Sequence, residues 1–175
     1  MRQRRAHDPL RAAVKVHILP FACICSHCLD PAPPPCACGR LRRAARALTQ
    51  LYDDAMAPAA LRVTQFSLLR TLGSDGPLTI SDLAARQLLD RTALSRNLDP
   101  LIERGFVVVK AGRDARTREV AITPKGTAAR RRAEPLWKHA QEDVARRVGK
   151  PKLDALITLL GELESLHPDR EKASR

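Results

Sequence analysis

The sequence predicts a mainly α fold carrying one small β-hairpin, an α+β domain. Two observations predict it. Apolar residues recur at helical spacing through most of residues 36–166. Between Gly105 and Pro124 that period gives way to β-branched runs of strand length. At 175 residues the chain suits one domain, or one domain plus a tail. Hydrophobic residues make up 44% and aromatics only 3%, so the core has to be aliphatic.

The elements follow in order. "CGRLRRAARALTQLYDDAM" sets Leu41, Ala44, Ala45, Leu48, Leu51, Tyr52 and Ala55 on one helical stripe, over residues 36–56, and Pro58 should end it. "LRVTQFSLLRTLG" offers Thr64 as N-cap, Phe66, Leu69 and Leu72 as apolar face and Gly73 as stop. In "LTISDLAARQLL", Thr79 followed by Asp82 has capping-box spacing, with Ile80, Leu83, Ala84 and Leu88 facing inward. Asp90 then caps "RTALSRNLDPLIERG", where Leu94, Leu98, Leu101 and Ile102 share a face and Gly105 provides a left-handed exit. Pro100 lies inside that helix and removes the bond to the Arg96 carbonyl, so a kink is expected.

"FVVVKA" and "EVAIT" read as two strands around the basic tip "GRDARTR". Thr123 and Pro124 open the next helix as N-cap and first residue, and Pro135 should bend it. "KLDALITLLGELESL" closes the pattern with a leucine stripe. Residues 1–35, rich in cysteine and proline, read as a disordered leader, and 169–175 as a polar tail. The next methionine is only Met56, so part of the leader could reflect start-site choice, with Val14 or Val16 as alternative starts.

The formal charge is +12. Residues 1–40 hold +4 of it and 41–175 the other +8, so the basic character is not confined to the leader. A persistent positive field on a small domain points to an anionic partner, nucleic acid first. The order helix, helix, basic hairpin is that of a winged helix-turn-helix, placed at 62–126. Its second helix would present Arg91, Thr92, Ser95, Arg96 and Asn97 to the major groove, where Arg pairs with guanine and Asn with adenine. Thr79 and Ser81 are candidate phosphate contacts. On the wing, Arg113, Arg116 and Arg118 suit the negative potential of a narrow minor groove.

Leu78–Gly126 resembles the DNA-binding core of MarR-type transcriptional regulators. The wing signature stands as Asp114-Ala115-Arg116-Thr117, followed by a strand and Thr-Pro-Lys-Gly, and the likeness extends over about 36–168. The resemblance implies that Arg116 enters the minor groove and that Asp114 helps position the wing. It implies that the first and last two helices, 36–56 and 124–166, interlock two subunits. It further implies a small phenolic or other aromatic acid as effector, bound between the dimerisation and DNA-binding regions. Independently of the family, the stripes holding Leu48, Leu153, Leu156, Leu160 and Leu163 have little to pack on in one chain, so a homodimer reading an inverted repeat is expected.

No enzyme motif is present: G-x-S-x-G, G-x-G-x-x-G and the phosphate loop are all missing, and the five histidines are scattered. Asp53 and Asp54 are neighbours that point apart on a helix, which does not make a shared site. No cofactor is expected. All five cysteines lie within Cys23–Cys38. Cys25, Cys28, Cys36 and Cys38 could supply four thiolates to zinc. Alternatively, Cys36 and Cys38, near a helix start among arginines, form a redox pair. The third reading is a leader without structural role. No stretch reaches the ~18 apolar residues of a membrane span, and "VKVHILPFACIC" is too interrupted for a signal peptide, so a cytoplasmic regulator is expected. Two rivals remain: a constitutive architectural DNA-binding protein, and a zinc- or redox-dependent interaction module.

Overall fold

The structure, a computed structural model, describes residues 36–112 and 117–167. The core is built around α2 (Val63–Asp75), whose Phe66, Leu68, Leu69 and Leu72 are all buried. Before it comes α1 (Ala37–Met56) with a short 3-10 turn (Ala57–Ala59). After it come β1 (Leu78–Thr79), α3 (Ile80–Arg86), α4 (Arg91–Glu103), β2 (Val107–Ala111), β3 (Arg118–Ile122), α5 (Pro124–Val148) and α6 (Lys150–Ser165). Leu83 from α3, Leu94, Leu98 and Leu101 from α4, Val120 from β3 and Ala129 and Ala133 from α5 join the α2 residues in one cluster.

The hairpin pairs antiparallel, from Val107 opposite Ile122 to Ala111 opposite Arg118. The sheet has a third strand beyond the expected hairpin. β1 pairs Leu78 with Val120 and Thr79 with Glu119, giving the order β1-β3-β2. Two residues are too few to show a strand period, and the segment reads locally as a helix cap.

Four local expectations are corrected. Thr64 is not the cap of α2; the cap is Arg62 and the helix starts at Val63, two residues earlier than expected. Two acceptors fix that start: Asp53 Oδ1, on α1, accepts the Val63 N–H at 2.7 Å, and Gln65 Oε1 accepts the Arg62 N–H at 3.2 Å. Gly73 does not stop α2; the helix runs on to Asp75 and leaves through Gly76, at φ +81°. A side chain on Gly73 would crowd the Arg130 guanidinium, its Cβ falling 3.1 Å from Nε, so this glycine makes room for α5. Leu88 is not on the α3 face but beyond it, in the left-handed region at φ +50°, where a leucine is strained. Ile102 is exposed, because the turn that brings Leu101 inward carries it past the edge of the apolar stripe.

The caps predicted from local spacing are present. Thr79 Oγ1 accepts the Asp82 N–H at 3.0 Å, and Asp90 Oδ1 accepts the Ala93 N–H at 2.8 Å. Thr123 does more than cap. Its hydroxyl accepts the Gly126 N–H at 3.0 Å and donates to the Gly105 carbonyl at 2.8 Å, joining the foot of the hairpin to α5. α4 and α5 each run as one helix through Pro100 and Pro135. Farther along, α1 packs on α5, where the Tyr52 hydroxyl donates to Gln141 Oε1 at 2.6 Å, and burial raises the Tyr52 phenol above its ordinary value.

Gly126 explains the glycine of Thr-Pro-Lys-Gly. A Cβ there would collide with the Phe106 carbonyl oxygen and sit 3.0 Å from Ile122 Cγ1. Gly126→Ala should therefore lower stability by ~1–3 kcal/mol, through overpacking against backbone that cannot move aside. Urea unfolding followed by circular dichroism checks this, and an unchanged midpoint would contradict the contact.

Candidate nucleic-acid interface

α3 and α4 meet through a turn fixed from behind. The Ser67 hydroxyl donates to Gln87 Oε1 at 3.1 Å, and Gln87 Nε2 donates to Thr71 Oγ1 at 2.9 Å, tying the end of α3 to α2. On α4 the leucines at 94, 98 and 101 are buried. The opposite arc consists of Thr92, Ser95, Arg96 and Asp99, all exposed, with Arg91 exposed at its start.

The predicted residues divide on this geometry. Thr92, Ser95 and Arg96 share the open face. Arg91 Nη2 donates to Ser81 Oγ at 3.2 Å, so a residue expected at the bases and one expected at phosphate form a single unit. Thr79 is constrained: its hydroxyl donates to Asp82 Oδ2 at 2.7 Å, which leaves it no proton for a phosphate oxygen. Asn97 is turned away. It is half-buried, its amide donates to the Ala93 carbonyl at 2.8 Å, and it faces Val63, Leu68 and Leu89 rather than the open arc. Asn97 therefore does not share the open face with Thr92, Ser95 and Arg96, contrary to expectation. Helical geometry carries the signal: Asn97 lies only about 60° from the centre of the leucine stripe, inside an apolar arc of ordinary width. The same geometry puts Asp99 on the open face, which residue type alone did not suggest.

Arg118 is exposed at the start of β3. Arg113, Asp114 and Arg116 lie outside the described residues, as do Cys23, Cys25 and Cys28. Cys36 and Cys38 are exposed free thiols. Among the described residues no three His, Cys, Asp or Glu side chains gather into a metal site, and no helix is long and apolar enough to cross a membrane.

The flanking helices show a different surface. α6 contributes no buried residue, and Leu48, Leu156, Ile157, Leu159, Leu163 and Leu166 are exposed, Leu166 at 76%. Leu153 and Leu160 are half-buried.

One feature escaped the sequence. Arg70 of α2 lies with its guanidinium carbon 4.2 Å from the Trp137 ring centroid. Beside it, Ser67, Thr71, Ser74, Arg130 and Glu134 line a cleft of about 360 Å³ between α2 and α5. Arg130 Nη1 reaches Glu134 at 3.6 Å, yet Arg130 Nε is buried without a hydrogen-bond partner among the described residues. The residues come from segments about 60 positions apart, a distance at which periodicity gives no signal.

The comparisons with known proteins agree with this geometry. Residues 61–117 match the model of the MarR family. The transcriptional regulator MosR of M. tuberculosis, solved in complex with DNA, is 44% identical; the match covers 74% of this chain and 96% of MosR, with TM-score 0.66. A mutant MarR from E. coli, complexed with operator DNA, is 23% identical over 71% of this chain and 91% of its own, with TM-score 0.65. BpsR of Bordetella bronchiseptica, whose DNA binding is regulated by 6-hydroxynicotinic acid, is 19% identical over 79% and 99%, with TM-score 0.70. No curated protein sequence matches the chain.

Proposed function

The chain belongs to the MarR family of DNA-binding transcriptional regulators, and on that premise we propose a cytoplasmic repressor that grips an inverted-repeat operator as a homodimer. The observation that carries this reading is α4 itself. Three leucines hold one face in the core while Thr92, Ser95, Arg96 and Asp99 stand open on the other. Arg96 would take a guanine edge and Ser95 and Thr92 phosphates or thymine methyls, with Arg91 braced by Ser81 at the groove margin. Arg113, Arg116 and Arg118 would serve the minor groove from the wing, with Asp114 positioning it. The exposed leucines of α1 and α6 support a two-fold assembly, in which Leu48, Leu153, Leu156, Leu160 and Leu163 pack between subunits.

For the effector we assign the cleft beside Arg70. Two arginines and the unpartnered buried Arg130 N–H suit a carboxylate, and Glu134 Oε2, likewise buried without a hydrogen-bond partner among the described residues, suits a ring hydroxyl, so an aromatic hydroxy acid fits with its carboxylate toward Arg130. Oxidation of Cys36 and Cys38 is the alternative signal, favoured by the exposure of both thiols.

Arg96→Ala should cost ~1–3 kcal/mol on the preferred operator and relax base choice within each half-site, whereas Asn97→Ala should leave base preference intact. Fluorescence anisotropy on operator and scrambled DNA at two salt concentrations reads both effects. Equal loss on the two DNAs would reduce Arg96 to a phosphate anchor.

Leu156→Glu with Leu160→Glu should shift the protein from dimer to monomer in sedimentation and remove tight operator binding, since one head loses linked engagement. A wild type that sediments as a monomer at micromolar concentration would sink the homodimer.

With 6-hydroxynicotinate as probe, operator affinity should fall about fivefold or more, and Arg70→Ala should abolish that response while leaving affinity without the probe unchanged. A response to peroxide, reversed by dithiothreitol, with none to the aromatic acid would move the signal to the thiol pair.

A further inference from the structure

The far end of α4 is fastened to a distant joint of the chain by one side chain. Arg104, the residue that follows the helix, donates from Nη1 to the Ala60 carbonyl oxygen at 2.5 Å, across 44 positions of sequence. Ala60 closes the 3-10 turn between α1 and α2 and stands in the left-handed region at φ +52°, unusual for a residue with a Cβ. The Arg104 guanidinium carbon also lies 4.3 Å from the ring centroid of Phe106, a residue only 4% exposed. Half-buried itself, this cation is held on two sides, by a charge-assisted hydrogen bond and by an aromatic ring. The same joint receives the bond from the Val63 N–H to Asp53, so α1, α2 and α4 are tied together at one place.

We propose that Arg104 is a positioning residue for base reading: it sets the angle of α4 on the body of the domain and does not itself contact DNA. This role rests on the reading proposed above, in which Arg96 meets the bases. Arg91 and Arg104 stand at opposite ends of the helix, about 20 Å apart along its axis, and Arg96 is about 12 Å from the clamp. α4 runs as one helix across that span, Pro100 included, so its reading turns follow its anchored end. At about 12 Å a tilt of about 5° carries Arg96 by about 1 Å, twice the ~0.5 Å range over which hydrogen bonds keep their length. Paired bonds to a base edge do not survive such a shift, whereas attraction to phosphates falls off slowly with distance. Leu94, Leu98 and Leu101 fix which face of α4 is buried, but apolar burial is non-directional and constrains tilt less than a directed bond does. Arg104 supplies that bond.

The test compares Arg104→Met, Arg104→Lys and Arg96→Ala in the full chain, by fluorescence anisotropy on scrambled DNA and on an operator selected from random-sequence DNA. Methionine keeps an apolar stem against Phe106 and removes the donor, while lysine keeps both charge and donor. Arg104→Met should lower the ratio of operator to scrambled affinity about fivefold or more, with scrambled affinity and its salt slope unchanged. Arg104→Lys should recover most of that ratio. In NMR spectra of the free protein, Arg104→Met should shift the Leu61 amide, which shares a peptide group with the Ala60 carbonyl, and the methyls of Leu98 and Leu101. Circular dichroism checks that each variant is folded, and Arg104→Gln takes the place of Arg104→Met if the latter is not. Equal loss on both DNAs, or a salt slope reduced by about one, would make Arg104 a phosphate contact and overturn the proposal. An unchanged ratio, an unmoved Leu61 amide, or a lysine variant no better than methionine would overturn it too. If Arg104→Met spares the ratio while Arg96→Ala relaxes base choice, the positioning role fails and the reading by Arg96 stands. If Arg96→Ala costs both DNAs equally, the reading itself fails and takes the positioning role with it.

Discussion

Burial of Leu94, Leu98 and Leu101 against α2 holds α4 by one face, and the presentation of Thr92, Ser95, Arg96 and Asp99 on the other depends on that attachment. Each leucine contributes ~1.5–3 kcal/mol on burial, so the orientation of α4 is set by interactions that never touch solvent. The residues on its other face are then free of any duty in folding, and surface changes there move stability by only a few tenths of a kcal/mol. The chemistry of the open face and the fold can therefore vary independently along the same thirteen residues. The caps make the separation cleaner. Asp90 and Thr79 satisfy the helix starts with their own side chains, so neither α3 nor α4 needs DNA to form.

What the sequence disclosed was local. Thr79, Asp90 and Thr123 cap the N–H groups that their spacing indicated, and the change of period after Gly105 marked the hairpin. What it concealed was supplied from a distance. The start of α2 is held both by Asp53, ten residues back on another helix, and by Gln65 Oε1, which accepts the Arg62 N–H, and a reading centred on Thr64 missed both. Gly73 resembled a terminator because glycine ends helices, but here it yields space to Arg130. Asn97 is the instructive case at the site. Its chemistry suited adenine, and residue type outweighed angular position, although the angle already placed it beside the leucines. The wing residues Arg113, Asp114 and Arg116 rest on their motif alone.

The two ends of the domain differ in self-sufficiency. Around α2 nearly every large apolar side chain finds the core, whereas α6 is held to α5 with none of its residues buried. Ion pairs do not compensate. Lys150 with Asp154, and Arg147 with Asp143, are surface pairs within helices, each worth little. The order of α6 is thus the part of the fold most sensitive to what covers its leucines, and local opening should begin there.

Trp137 is the chain's single tryptophan, and a guanidinium lies over its ring. That pairing makes the indole an internal optical gauge. Its excited state responds to the charge held 4.2 Å away, so any movement of Arg70 relative to α5 registers as a change in emission, with no label attached and no background from a second indole.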